Sequence, residues 1–229
     1  MLKIENLSIY SEDKKILNNI NLDFENGKIY LIFGPNGSGK TTLSKAILND
    51  INYRKEGRII LNDIDITNMK TEEIAKYIYY SFQNPIEIEN IKTRTILMNI
   101  LKNYNEENIK KIGQELGLPD NFLDRGINHN LSGGEKKRLS LLLSILLNRD
   151  VIIFDEIDSG SDIEFMEKLK YYINKLKNEG KIIIIISHNM KFIKDINIDV
   201  VMILLNGEIK YIGSKEIINK IEEHGFSIF

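Results

Sequence analysis

The chain has 229 residues, 42% of them hydrophobic and 28% charged, with a formal charge of −2 from 31 Lys and Arg against 33 Asp and Glu. This is the composition of a folded globular domain, and the charge balance supplies no field to draw in nucleic acid or anionic lipid. Cysteine is absent, which excludes disulfides, thiolate nucleophiles and Cys-held zinc or iron-sulfur clusters from the chain itself.

The apolar runs Leu139–Leu147, Ile182–Ile186 and Val200–Leu205 fall well short of the roughly 18 residues that a spanning helix needs, so no direct membrane insertion is expected. The opening Met1–Asn6 carries no apolar export region, and a cytoplasmic protein is the expectation.

Strand-like runs fill the first third: Leu2–Tyr10, Leu17–Phe24, Ile29–Phe33, Arg58–Leu61 and Ile78–Phe82. Directly after the third run stands Gly34-Pro35-Asn36-Gly37-Ser38-Gly39-Lys40-Thr41, and a helical pattern, Thr41–Leu48, follows at once. The segment satisfies G-x-x-x-x-G-K-[ST] in the strand-loop-helix context that the motif requires. Glycines 34, 37 and 39 let backbone N–H groups converge on a phosphate chain, and the helix start adds its dipole. Lys40 is expected to contact the β- and γ-phosphates and Thr41 to present its hydroxyl to Mg²⁺, with Thr42 in support. Chance would produce such a match in on the order of 1% of chains, given Gly at about 7% of residues.

A second helical pattern, Glu72–Tyr77, leads into the fifth strand, and Gln83 stands just beyond that strand's end. From Pro85 to Asn130 the chain turns polar and helical without a strand-like run. The expected division is a catalytic core of residues 1–84 and 132–229 with a helical subdomain at 85–131.

Leu131-Ser132-Gly133-Gly134-Glu135 opens the helical pattern Glu135–Leu147. Ser132 and Glu135 have capping-box spacing, which alone would make a well-capped helix. The adjacent glycines cost helix propensity and are better explained by phosphate contact at the helix start.

The buried run Val151–Phe154 ends in Asp155 and Glu156. An ordinary strand end can carry charge, but beside a phosphate loop Asp155 is expected to bind Mg²⁺ through water and Glu156 to orient or deprotonate the attacking water. A helix at Asp162–Leu176 closes at Gly180, with Ser161 and Glu164 again at capping-box spacing. Ile182–Ile186 then ends at Ser187-His188, and Asn206-Gly207 joins Val200–Leu205 to Glu208–Ile212 as a type I′ hairpin with antiparallel strands. Gln83 and His188 thus also stand at carboxyl ends of strands, where open α/β sheets bind ligand. His129 and His224 read as surface residues isolated from any Asp, Glu or second His at ligand spacing, and no transition-metal site is expected.

With the phosphate loop at 34–41, Gln83, the Leu131–Glu135 segment, the acidic pair at 155–156 and His188, the chain resembles the ABC ATPase superfamily over its whole length. The resemblance implies an α/β P-loop NTPase fold with a mixed β-sheet core, a small N-terminal antiparallel sheet and an inserted helical subdomain. It implies ATP and Mg²⁺ as cofactors, with Thr41, Gln83 and Asp155 around the metal and Lys40, Gln83, Glu156 and His188 catalytic. It also implies a head-to-tail homodimer in which Ser132, Gly133, Gly134 and Glu135 of one copy close over the nucleotide on the other. Asp155-Glu156-Ile157-Asp158-Ser159-Gly160 is similar to D-E-x-D-S-G-L-D of the Suf iron-sulfur assembly ATPases, the SufC family, rather than to the D-E-P-T-S-x-L-D usual in transporters. Phe82–Ile88, Gly134–Arg138 and Ile221–Phe226 resemble the same family, although Ser161 stands where it has Leu. That branch implies a SufB/SufD-type scaffold protein as partner; the alternative is the nucleotide-binding subunit of a membrane ABC importer. An aromatic near the second strand stacks on adenine in many members, so Tyr10 is either that group or a residue packing within the small sheet.

Overall fold

The computed structural model describes residues 1–12, 14–50 and 53–229. Its strands are β1 (Leu2–Ser11), β2 (Lys14–Phe24), β3 (Ile29–Phe33), β4 (Arg54–Leu61), β5 (Ile64–Asp65), β6 (Ile78–Ser81), β7 (Val151–Asp155), β8 (Ile182–Ile186), β9 (Val200–Leu205) and β10 (Glu208–Gly213). Its helices are α1 (Lys40–Ile47), α2 (Thr71–Ile74), α3 (Thr93–Ile100), α4 (Glu106–Glu115), α5 (Gly133–Leu147), α6 (Ile163–Asn178), α7 (Met190–Asp195) and α8 (Ile217–His224).

The continuously apolar strands lie at the centre. The main sheet runs β10-β9-β3-β8-β7-β6, parallel except for β10, which turns back on β9. Alternate side chains of each strand enter different cores. Ile29, Leu31 and Phe33 join α5, α6 and α8 on one face, while Tyr30 and Ile32 join α1 and the second sheet on the other. A strand covered on both faces has no polar side to show, which is why β3, β7 and β8 carry no alternation. The second sheet, β2-β1-β4-β5, is antiparallel throughout, and its alternating burial leaves one face to solvent.

The fold is the expected α/β arrangement of a mixed sheet and a small antiparallel sheet, with differences in the elements. β4 begins at Arg54, not Arg58: its charged start pairs with β1, Tyr10 opposite Arg54, and is held by backbone bonding that hydropathy does not register. α2 is a single turn rather than a helix to Tyr77, because the chain must straighten into β6. The expected cap at Ser161 is displaced by one residue. Asp162 caps α6 by accepting from the Phe165 amide at 2.8 Å, while the Ser161 hydroxyl donates to Ile157 O. Asn206 and Gly207 both have positive φ, 49° and 76°, as the I′ turn requires.

Segment 85–131 carries α3, α4 and a 3-10 turn at Phe122–Asp124, and its Leu97, Ile109, Leu116 and Phe122 share the core that holds β7 and α5. At the other end of the chain, Phe226 rests against Phe33 with ring centroids 5.4 Å apart. The Phe33 ring in turn lies 6.5 Å from the ring of His188.

Candidate functional site

Strand register sets the site. Ile32 is opposite Ile186, Asp155 is opposite Ile186, and Ser81 is opposite Phe154, so the loops after β3, β6, β7 and β8 leave the sheet at one level. The phosphate loop begins at Gly34, where a Cβ would lie 2.1 Å from Leu204 O; only glycine lets the backbone pass that close to β9. Gly39, at φ 107°, caps α1 in a conformation that L side chains avoid.

Lys40 is 6% exposed, and its ammonium donates to the carbonyls of Gly34 and Pro35 at 2.9 Å each. Burial lowers its pKa, opposed by the charges of Glu156 and Asp155. Two of its three donors are engaged within the loop, leaving one for an anion.

Asp155 ends β7 and is 1% exposed. Its Oδ2 accepts from the Tyr80 hydroxyl at 2.6 Å, and its Oδ1 has no hydrogen-bond partner. Burial raises its pKa, against the hydroxyls of Tyr80 and Thr41. Glu156 follows at φ 54°, a left-handed conformation that costs about 1–2 kcal/mol in a residue with a side chain. Its amide donates to Ile186 O at 2.9 Å. Its Oε2 accepts from Gln83 Nε2 at 2.5 Å, and its Oε1 lies 3.1 Å from His188 Nε2. The backbone turn at Glu156 therefore aims one carboxylate between two polar side chains carried by separate loops.

These groups line a cleft of about 470 Å³ that takes in Asn36, Gly37, Gly39, Lys40, Thr41, Thr42, Gln83, Glu156 and His188, with Ile16 of β2 as an apolar wall. Gly34, Pro35 and Ser38 shape the loop without lining the cleft, and Asp155 is buried beneath it. A larger cavity of about 720 Å³ lies elsewhere, between Leu101, Ile112, Leu147 and Tyr172, and none of the sequence-derived candidates lines it.

Ser132, Gly133, Gly134 and Glu135 do not line the cleft. They form the start of α5, where the capping box closes: Glu135 N donates to Ser132 Oγ at 3.2 Å and Ser132 N to Glu135 Oε2 at 2.7 Å. The latter bond, largest among its causes, lowers the Glu135 pKa. A Cβ on Gly133 or Gly134 would meet nothing within 4 Å, and neither has positive φ. Nothing within the described chain requires glycine there.

Tyr10 lies outside the cleft lining. Its hydroxyl donates to Glu56 at 3.0 Å, and the Arg54 guanidinium lies 4.2 Å from its ring centroid. His129 is not isolated from acids: its Nδ1 lies 3.8 Å from Glu87 and 3.6 Å from Glu89, brought near by backbone pairing of Ile88 with Ile127. His224 lies 3.6 Å from Glu223. No group of three or more potential metal ligands occurs among the described residues. Sequence reasoning missed Tyr80, which holds Asp155, and the burial of Asp158 and Ser187; the one signal for the latter was a charged residue where transporters usually carry Thr.

Residues 17–159 match the ABC transporter family. The chain is 33% identical to the probable ATP-dependent transporter ycf16 of Antithamnion sp., over 99% of this chain and 96% of that one. Among solved structures it resembles an ATP-binding subunit of an ABC transporter, with TM-score 0.83, 22% identity and coverage of 100% and 96%. It also resembles a dimeric ATP-binding cassette in a post-hydrolysis state bound to ADP and Pi, with TM-score 0.79, 22% identity and coverage of 94% and 99%. At that identity the two structures speak for the fold alone.

Proposed function

The chain belongs to the ABC transporter family of ATPases, and from that premise we propose that two copies close head to tail over ATP and convert its hydrolysis into work on a partner protein. The observation that carries this reading is the meeting of Lys40, Thr41, Gln83, Glu156 and His188 in one cleft. In this reading the loop amides and Lys40 bind the phosphates, Glu156 orients and deprotonates the attacking water, and His188 and Gln83 hold its carboxylate in place. Asp155 Oδ1, buried without a partner, and the Thr41 hydroxyl are hard oxygen donors that fit Mg²⁺, with Gln83 as a third contact. Mg²⁺ bound there would neutralise charge on the β- and γ-phosphates. The bare glycines at the start of α5, which do not line their own cleft, support a second copy's nucleotide as their ligand.

The Glu156→Gln variant tests this. It should retain ATP and accumulate as a dimer, seen by light scattering, while hydrolysis falls by at least about 100-fold; unchanged turnover would remove Glu156 from the reaction.

For the partner, the transporter names of relatives matched over 99% of the chain support the membrane subunit of an ABC transporter, which this reading takes to be an importer with the chain peripheral on the cytoplasmic side. The second reading is a SufB/SufD-type scaffold, favoured by Asp155–Gly160, Phe82–Ile88, Gly134–Arg138 and Ile221–Phe226; a chain without cysteine would leave cluster ligation to that partner. Co-purification separates the two. Recovery with a permease only from detergent-extracted membranes supports the first, and a soluble complex with a co-expressed scaffold that raises ATPase activity supports the second.

A further inference from the structure

Asp158 stands two residues beyond Glu156, in the turn between β7 and α6, and is 2% exposed. Its Oδ2 accepts the hydroxyl proton of Ser187 at 2.7 Å, while its Oδ1 has no hydrogen-bond partner. A carboxylate buried with one oxygen unsatisfied costs stability. A turn that merely had to connect β7 to α6 has no use for one.

What the carboxylate holds is the residue before His188. Ser187 is fully buried, and because its only proton goes to Asp158, its oxygen is left to accept from the Asn189 amide at 3.1 Å. Asn189 then caps α7 by accepting from the Phe192 amide at 3.2 Å. His188 is thereby fixed between two anchored neighbours. On the other side, the Glu156 amide is tied to Ile186 O at 2.9 Å. The turns after β7 and β8 are thus joined at two points, and between those points the side chains of Glu156 and His188 come to 3.1 Å. The charges of Asp158 and Glu156 both act on the partly buried Lys137 of α5.

We infer that Asp158 is a positioning residue for hydrolysis: through its hydrogen bond to Ser187 it sets His188 at its working distance from Glu156. The inference rests on the proposed reading that Glu156 and His188 act at the γ-phosphate. Neither Asp158 nor Ser187 lines the nucleotide cleft, so their loss displaces the pair without removing a phosphate contact.

The test uses the full chain. Asp158→Ala and Ser187→Ala should each lower kcat on the order of 10- to 100-fold, the loss expected from misplacing a catalytic group by about 1 Å. ATP affinity should stay within about twofold, since ground-state binding is untouched. The ring-nitrogen ¹⁵N shifts of His188 at fixed pH should move in both variants, as the Glu156 contact opens. The double variant should be no slower than the slower single, because both remove one interaction. Asp158→Asn keeps a carbonyl oxygen for Ser187 and should recover most of the turnover. Wild-type kcat in both single variants, additive losses, or an Asn variant as slow as the Ala one would overturn the inference. Should Asp158→Ala not fold, Ser187→Ala carries the test, since it removes a single oxygen. Glu156→Gln, assayed beside them, separates the two failures. If it turns over normally, the proposed reading is wrong; if it is inactive while the Asp158 and Ser187 variants are normal, only this inference is.

Discussion

Lys40 is a lysine held in a buried place beside two carboxylates. Burial pulls its pKa down, while Glu156 and Asp155 pull it up, and the loop carbonyls of Gly34 and Pro35 occupy two of its donors. Lys40→Ala should therefore weaken ATP binding by at least about 10-fold, the loss expected for a charged hydrogen bond to phosphate, as measured by titration with a fluorescent ATP analogue. Equal affinity in the two proteins would contradict its phosphate role. Lys55 presents the opposite case. Its ammonium nitrogen is buried without a hydrogen-bond partner, and burial brings its pKa from 10.5 to about 8 despite the charge of Asp65. As pH rises from about 8 to 10.5, the folded chain releases this proton before the unfolded one does. The unfolded state then binds more protons, and this group's contribution to stability rises with pH across that window. Lys55→Met should accordingly melt roughly 2–4 °C above wild type at pH 7, and the gap should close between pH 8 and pH 10. A constant gap in Tm across those pH values would show that the ammonium is not what costs stability.

At the scale of elements, α5 has the clearest local encoding. Ser132 and Glu135 close both bonds of the capping box, so Ser132→Ala should cost about 1 kcal/mol and lower Tm by roughly 2–4 °C in a thermal unfolding scan. No change would mean that the cap is replaced by solvent. The same segment shows what was legible in the sequence. Ser132–Glu135, the glycine loop and the I′ turn announce themselves because each depends on neighbours in the chain. β3, β8 and β9 match their expected bounds because burial on both faces leaves an unbroken apolar run. α3, α4, α7 and α8 went unread as separate helices, since each is short and takes much of its order from the core it packs on. Gln83, Glu156 and His188 were legible as strand-end polar groups, but not their contact, which depends on register between strands whose ends are about 100 residues apart in the sequence. Tyr80 and Asp158 gave little warning, because a Tyr in a strand and an Asp in a turn are both ordinary until their burial is known.

For the whole molecule, the candidate site lies along one end of the central sheet, the carboxyl ends of β3, β6, β7 and β8, and the C-terminal segment reaches it. Phe226 packs on Phe33, the residue before the phosphate loop, and Phe33 lies beside His188. Phe226→Ala removes a partly buried ring and should lower Tm by roughly 2–8 °C, from about 1–2 kcal/mol of lost burial. Limited proteolysis should also cut first in the segment after α8. Unaltered melting and cleavage would make this contact incidental.

That packing bears on how the protein is handled. Phe229 lies 6.1 Å from the ring of Tyr211, so a fluorophore placed in the segment after α8 would disturb two aromatic contacts, this one and that of Phe226 with Phe33. Turnover numbers from differently labelled preparations will be comparable only when the label leaves those two contacts intact.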